Sequence, residues 1–202
     1  VRVLIGCEYS GTVREAFNSK KDHLAWSCDI IGSERDGLHI VGDVMGFLNG
    51  MFIDAKLDLI ILHPPCTAMA VCGNRTYSNS QDRLDAVDWT LRLWELAKKK
   101  APRVALENPA SVIFPHLRKS GAHVQYIQPY QFGHMEQKKT GLALHNLPPL
   151  KPTNNVYDEM MKLPKGKRER VFYMSPSKDR GKERARFYTG FADAMADQWG
   201  NL

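Results

Sequence analysis

The segment that most constrains this chain is the apolar run Leu57 to Leu62, which stops abruptly at His63-Pro64-Pro65-Cys66-Thr67. A run this apolar suits a strand buried on both faces of a parallel sheet, where helices cover each side. The two prolines cannot donate to a sheet ladder, so they end the strand and stiffen the loop behind it. The rest of the first half fits the same plan. Val1 to Ile5 forms a first strand, and the glycine-bounded turn Gly6 to Gly11 leads into a helix carrying Val13, Ala16 and Phe17. Leu24 to Cys28, the run before Gly42, Val104 to Leu106, His123 to Ile127 and Leu142 to Leu144 read as further strands. Leu84, Val87, Leu91 and Trp94 share one helical face, with Ser78 and Gln81 spaced as a capping box. Strands alternating with helices predict an α/β fold, a doubly wound and mostly parallel sheet with helices on both faces.

The texture changes at Pro148. Pro148, Pro149, Pro152, Pro164 and Pro176 punctuate a polar stretch that cannot extend a sheet interior. Its positive charge is concentrated between Lys162 and Arg186, against the acids Glu169, Asp179 and Glu183. Such a segment is either a solvated surface loop or a phosphate-contacting arm. Phe191, Ala194, Met195 and Trp199 then recur at helical spacing, and Gly200 suits the stop. The expected organisation is a core over 1–147, a small basic appended segment over 148–186 and a closing helix over 187–202.

At 202 residues and 43% hydrophobic, one domain with a substantial core is expected. Lys and Arg number 28 against 22 Asp and Glu, which favours a polyanionic partner. No apolar stretch approaches the roughly 18 residues of a membrane span, and no signal peptide opens the sequence, so a soluble cytoplasmic protein with no membrane partner is expected. Cys7, Cys28, Cys66 and Cys72 are too few and scattered for a disulfide scaffold. A zinc site from His63, Cys66 and Cys72 lacks the paired short spacings of structural zinc, and no metal is expected.

Ligands bind open α/β sheets at the carboxyl ends of their strands, and the polar clusters of this chain fall there. Gly6-Cys7-Glu8-Tyr9-Ser10-Gly11 follows the first strand, Asp29 the second, and Asp43 the third. Each acid alone reads equally as a helix cap. The Pro-Pro loop holds Cys66 at the sheet's edge, a poor place for a merely buried thiol. Leu106-Glu107-Asn108-Pro109 ends another apolar strand, where a carboxylate can grip a ring nitrogen and, if desolvated, donate a proton. Cys and Glu together fit one reaction. Protonation or strong hydrogen bonding at cytosine N3 makes carbon 6 open to thiolate attack, and attack there makes carbon 5 nucleophilic toward an activated methyl group. A free thiol is only slightly ionised at neutral pH, so the site must supply positive potential or a proton acceptor, with His63, Lys138 and Lys139 as candidates.

The order glycine turn, Asp29, Asp43, Pro-Pro-Cys66, Glu107-Asn108 and Gln137-Lys138-Lys139-Thr140 resembles the cytosine-5 DNA methyltransferases, in particular their short phage and bacterial versions, over most of the chain. The resemblance implies a Rossmann-like methyltransferase fold and S-adenosylmethionine as cofactor, held by Gly6, Glu8, Ser10, Gly11, Asp29, Asp43 and Pro64. It implies that Cys66 is the nucleophile, that Glu107 and Asn108 bind the flipped cytosine, and that Lys139 stands for the first arginine of the family's Gln-x-Arg-x-Arg. Lys138, Lys165, Lys167, Arg168, Arg170 and Arg184 would contact DNA, duplex or single-stranded, in a bacterial cell or phage-infected host. This chain departs from the pattern at Gly141, where the second arginine is usual, at His63, where glycine is usual, and in the first loop, where Tyr9 is the nearest substitute for a missing aromatic. Only the segment from Pro148 to Arg186 could act as a target-recognition region. Two other readings compete: an exocyclic amino-methyltransferase, which typically carries an aromatic where Cys66 stands, and an inactive nucleic-acid-binding module of the same fold.

Overall fold

A computed structural model of the chain describes residues 1–50, 56–178 and 180–202; Asp179, one of the acids of the basic stretch, lies outside them. The strands β1 (Arg2–Gly6), β2 (Leu24–Asp29), β3 (His39–Val41), β4 (Leu59–Leu62), β5 (Arg103–Pro109), β6 (His123–Ile127) and β7 (Thr140–His145) form one sheet in the order β3-β2-β1-β4-β5-β7-β6. The first five run parallel, and β7 is inserted antiparallel between β5 and β6. This is the doubly wound, mostly parallel α/β sheet that the alternating pattern predicts.

All four residues of β4 are buried, as the apolar run requires. Alternate side chains serve opposite faces of the sheet. Val3, Ile5, Leu59 and Ile61 meet α1 (Thr12–Asn18) and the closing helix on one side. Leu4, Ile60 and Leu62 meet α2 (Val44–Gly50), α4 (Gln81–Lys100) and α5 (Ile113–Lys119) on the other. A short helix, α3 (Asn74–Tyr77), lies between the Cys66 loop and α4. No described helix is long and apolar enough to cross a membrane.

Two details of α4 differ from expectation. Its N-cap is Ser80, not Ser78, because Ser80 is extended and its Oγ accepts from the Arg83 N–H at 3.2 Å. That start turns Arg83, Thr90, Leu93, Trp94 and Ala97 inward, and leaves Leu84 64% exposed. Strand β5 is also longer than Val104 to Leu106, since its ladder with β7 continues through Glu107↔Leu142 and Asn108↔Gly141.

Beyond Pro148 the described chain adds no strand and forms the short helices α6 (Tyr157–Met161), α7 (Lys165–Arg168), α8 (Arg170–Tyr173) and α9 (Arg180–Ala185). These residues pack on the core: the Gln125 side chain bonds both backbone groups of Leu150, and Met160 is fully buried. In α10 (Thr189–Trp199), Phe191, Ala194, Met195 and Trp199 are buried as their spacing predicts. Gly200 ends this helix at φ −71°, so it is not a left-handed stop. Its lack of a side chain is instead a packing requirement, because a Cβ there would overlap the His23 ring and the Ala196 carbonyl.

Candidate active site

The parallel register builds the site. Cys28, Gly6, Leu62 and Leu106 stand side by side across β2, β1, β4 and β5, so the residues that follow them, Asp29, Cys7, His63 and Glu107, form a row along the carboxyl edge. The chain leaves β1 for β2 on one side and leaves β4 for β5 on the other, so the tips of β1 and β4 flank the switch point where open α/β sheets bind ligands. Cys7 turns the chain there with a left-handed φ of 61°, a conformation that costs a non-glycine residue energy. The His63 N–H donates to the Gly6 carbonyl at 2.9 Å, which ties the two loops together.

A cavity opens on this row. Cys66, Glu107, Asn108, Lys138, Arg184 and Phe187 all line it, together with the first loop from Cys7 to Ser10 and the Pro64-Pro65 pair. The Cys66 loop is held from two directions. Asn108 Nδ2 donates to the Pro64 carbonyl at 3.0 Å, and the buried Arg83 of α4 donates to the Ala68 and Ala70 carbonyls and to Asn74 Oδ1. Glu107 Oε2 lies 3.2 Å from His63 Nδ1. Asn108 Oδ1 and His63 Nε2 are buried without a hydrogen-bond partner among the described residues. Buried polar atoms left unpaired on a cavity wall mark places where ligand groups complete the bonding.

Burial and the neighbouring Glu107 carboxylate push the Cys66 thiol above its ordinary range, while Lys138 and Arg184 pull it down. The resting site therefore holds a thiol, with two cations placed to favour its ionisation. Burial also raises Asp29, and raises Cys28 to about 11, with Asp29 and Asp43 adding to the Cys28 shift. Both acids thus lie close to the tip of β2.

The expected residues divide into several groups. Cys66, Glu107, Asn108 and Pro64 line one cavity, and Lys138 joins them. Lys139 does not line the cavity: alternation about the strand sends its ammonium over the Tyr126 ring, 4.4 Å from the centroid. Glu8 lines the cavity and also fastens the start of α1, since its carboxylate accepts the Val13 N–H at 2.6 Å and the Arg14 N–H at 3.4 Å, with Ser10 Oγ donating to it at 3.3 Å. Gly6 and Gly11 are also fixed by packing, because a Cβ would press on Leu62 and Val44 at the first and on the Arg14 guanidinium at the second. Asp43 caps α2 through the Gly46 N–H at 2.7 Å, and Asp29 Oδ1 accepts from the Ile31 N–H at 3.1 Å.

In the basic segment, Lys165 and Lys167 are exposed on α7. Arg168 Nη1 donates to the Met161 carbonyl at 3.3 Å, whereas Arg170 is paired with Glu136 at 2.8 Å. Arg184 reaches the cavity, and its carbonyl accepts from Lys138 Nζ. The α9 region is fastened over the first loop: the Tyr9 hydroxyl donates to the Lys182 carbonyl at 2.6 Å, and Glu34 pairs with both Lys182 and Arg186.

Three residues escaped the sequence reading. Phe187 packs edge-on against His63, 4.7 Å between centroids, and supplies an aromatic wall; its only sequence signal is its place just before the closing helix. Arg83 fastens the Cys66 loop through its three bonds to that loop and to Asn74. Fully buried Arg14 bonds Ser27 Oγ, Ser33 Oγ and the carbonyls of Arg35 and Asp36, ordering the loop that carries Glu34.

No protein-family model matches the sequence, and no curated protein matches it. Among solved structures, the chain is similar to a prophage-encoded Escherichia coli protein described as a DNA modification methyltransferase, at 15% identity and a TM-score of 0.52, over 82% of this chain and 56% of that one. It is also similar to the Entamoeba histolytica methyltransferase EhMeth, at 13% identity and a TM-score of 0.51, over 77% of this chain and 57% of that one. The chain has the fold of these methyltransferases and spans little more than half the length of either.

Proposed function

We propose that the protein methylates carbon 5 of cytosine in DNA, with Cys66 as covalent nucleophile. The observation that carries this reading is the convergence of Cys66 and Glu107, from two different strand ends, on one cavity that also holds Asn108 and Lys138. The fold shared with a protein described as a DNA modification methyltransferase adds support. S-adenosylmethionine, when bound, supplies the electrophilic methyl group. Asp29 and Asp43, at adjacent strand tips, suit the hydroxyl and amine donors of its adenosine; Glu8 lines the cavity while its carboxylate accepts from the N–H groups at the start of α1.

The chain's own residues account for the remaining chemistry. Lys138 and Arg184 favour ionisation of Cys66, whose sulfur attacks carbon 6. Glu107 donates a proton to N3 as the ring accepts the electron pair, and Asn108 holds the Pro64 end of the loop in place. Carbon 5 then takes the methyl group with release of S-adenosylhomocysteine, N3 returns its proton to Glu107, solvent water takes the carbon 5 proton, and the Cys66–carbon 6 pair returns to sulfur as the carbon 5–carbon 6 double bond re-forms. In this reading, residues 1–147 are the catalytic core, 148–186 a reduced recognition region and 187–202 a closing helix. Incubating the protein with labelled S-adenosylmethionine and, in parallel, single-stranded DNA, duplex DNA, RNA and cytosine nucleotides tests it. Label on carbon 5 of cytosine in DNA is expected; label on an exocyclic nitrogen, or none, contradicts it.

A further inference from the structure

The histidine at position 63 takes no part in the chemistry of Cys66 and Glu107 set out for carbon 5, and the resemblance offers it no role, since glycine is usual there. The fold encloses its ring almost completely. His63 Nδ1 lies 3.2 Å from Glu107 Oε2, with side-chain exposures of only 11% and 13%. Its ring edge meets Phe187, and Nε2 is buried with no partner among the described residues. Glu107 forms its hydrogen bond to His63 through Oε2 alone, and Oε1 has none among the described residues. In the complex with the base, where the proposed function has Glu107 deliver a proton to N3, that proton must sit on the oxygen that faces the base.

We propose that His63 is a positioning residue that sets where Glu107 carries its proton: Nδ1–H donates to Oε2, which reserves Oε1 for the proton delivered to the base. The inference rests on the carbon 5 reading. As sulfur bonds to carbon 6, the carbon 5–carbon 6 π pair moves to form a carbon 4–carbon 5 double bond. The carbon 4–N3 pair moves to N3, and N3 takes the proton from Oε1. The carboxylate left behind keeps the Nδ1–H bond at Oε2, now charge-assisted and stronger than before. His63 neither gains nor loses a proton. Because the bond tightens as charge develops, it acts on the rate of adduct formation and not on cofactor affinity.

The rival role for this ring is packing against Phe187, and two substitutions separate the roles. His63→Asn keeps an N–H donor near the Nδ1 position and loses the ring; His63→Phe keeps a ring and loses the donor. The measurement is the rate of covalent adduct formation with single-stranded DNA containing 5-fluorocytosine, alongside S-adenosylmethionine affinity and thermal melting. We expect H63N within about 5-fold of wild type and H63F slower by about 10- to 100-fold, the worth of one charge-assisted hydrogen bond, with cofactor affinity unchanged in both. His63→Leu repeats the loss of the donor should the phenylalanine variant melt early. A wild-type rate in H63F, or an asparagine variant as slow as H63F, overturns the proposal. An absent adduct in the wild type rejects the carbon 5 reading itself. The ¹⁵N spectrum of His63 in the free protein tests the tautomer without any reaction: protonated Nδ1 is expected, and a bare Nδ1 with protonated Nε2 overturns the assignment.

Discussion

Lys138 Nζ donates to the Arg184 carbonyl at 2.9 Å, joining the loop before β7 to the basic helix α9 across the mouth of the cavity. The two side chains are the cations that lower the Cys66 thiol, while burial and Glu107 outweigh them and leave it raised. Alkylation of Cys66 followed by mass spectrometry against pH should therefore show a midpoint above that of an ordinary thiol. Removing a nearby positive charge disfavours the thiolate, so Lys138→Met and Arg184→Met should each move the midpoint further up and slow alkylation at a fixed neutral pH. A midpoint below the ordinary range, or one indifferent to both variants, contradicts this electrostatic account.

Asp43 has two roles that substitution can separate. Its carboxylate caps α2 through the Gly46 N–H, and in the proposed function it accepts from an adenine amine. Asp43→Ala should lower stability by about 0.5–2 kcal/mol as the cap is lost, whereas Asp43→Asn retains the cap and should cost a few tenths at most. Both should weaken S-adenosylmethionine by roughly 10- to 100-fold, the worth of one charge-assisted hydrogen bond. Calorimetry and thermal melting read the two effects separately, and unchanged cofactor affinity in the asparagine variant would remove Asp43 from the ligand site.

Gly141 stands where the family pattern carries a second arginine, but it is a strand residue paired with Asn108 and packed under the Phe114 ring. A Cβ there would overlap that ring, which is fully buried. Gly141→Arg should therefore destabilise the fold by at least the roughly 1–3 kcal/mol typical of overpacking, without raising activity. A stable, more active variant would show that the glycine vacated a functional contact.

The basic segment divides by partner. Lys165 and Lys167 are exposed, whereas Arg170 pairs with Glu136, which also accepts the Tyr188 hydroxyl at 2.8 Å. Neutralising Lys165 and Lys167 should flatten the salt dependence of duplex binding by about 0.9 in logarithmic slope for each phosphate that is no longer neutralised. Arg170→Ala should lower the melting temperature by unfastening Glu136 and leave the slope nearly unchanged. Equal slopes in all three proteins would assign α7 to solvated surface.

The sheet was legible because burial on both faces writes itself into a run such as Leu57 to Leu62, and the site because Cys66 and Glu107 follow such runs directly. What local sequence could not convey was parity and distance. Lys138 and Lys139 are adjacent, and only the start of β7 decides which faces the cavity and which covers Tyr126. Arg14 and Arg83 are buried against backbone carbonyls far along the chain, which no neighbouring carboxylate announces. The His63–Glu107 pair depends on the Leu62↔Leu106 register, a property of the assembled sheet. Glu8 and Asp43 show the reverse limit, since a helix cap and a ligand-binding acid look alike until the hydrogen bonds are drawn.

The covalent step gives the most direct test of the central claim. Attack by Cys66 on carbon 6 produces an adduct that collapses only after carbon 5 loses its proton, and fluorine at carbon 5 cannot leave in that way. With S-adenosylmethionine and DNA carrying 5-fluorocytosine, the wild-type protein should give a protein–DNA species that survives a denaturing gel, with the attachment mapped to Cys66. Cys66→Ala should lose adduct and turnover together, because Cys7, the other thiol on the cavity wall, is held far from ionisation by burial and by the nearby Asp29. Methylation by Cys66→Ala at the wild-type rate would contradict the account.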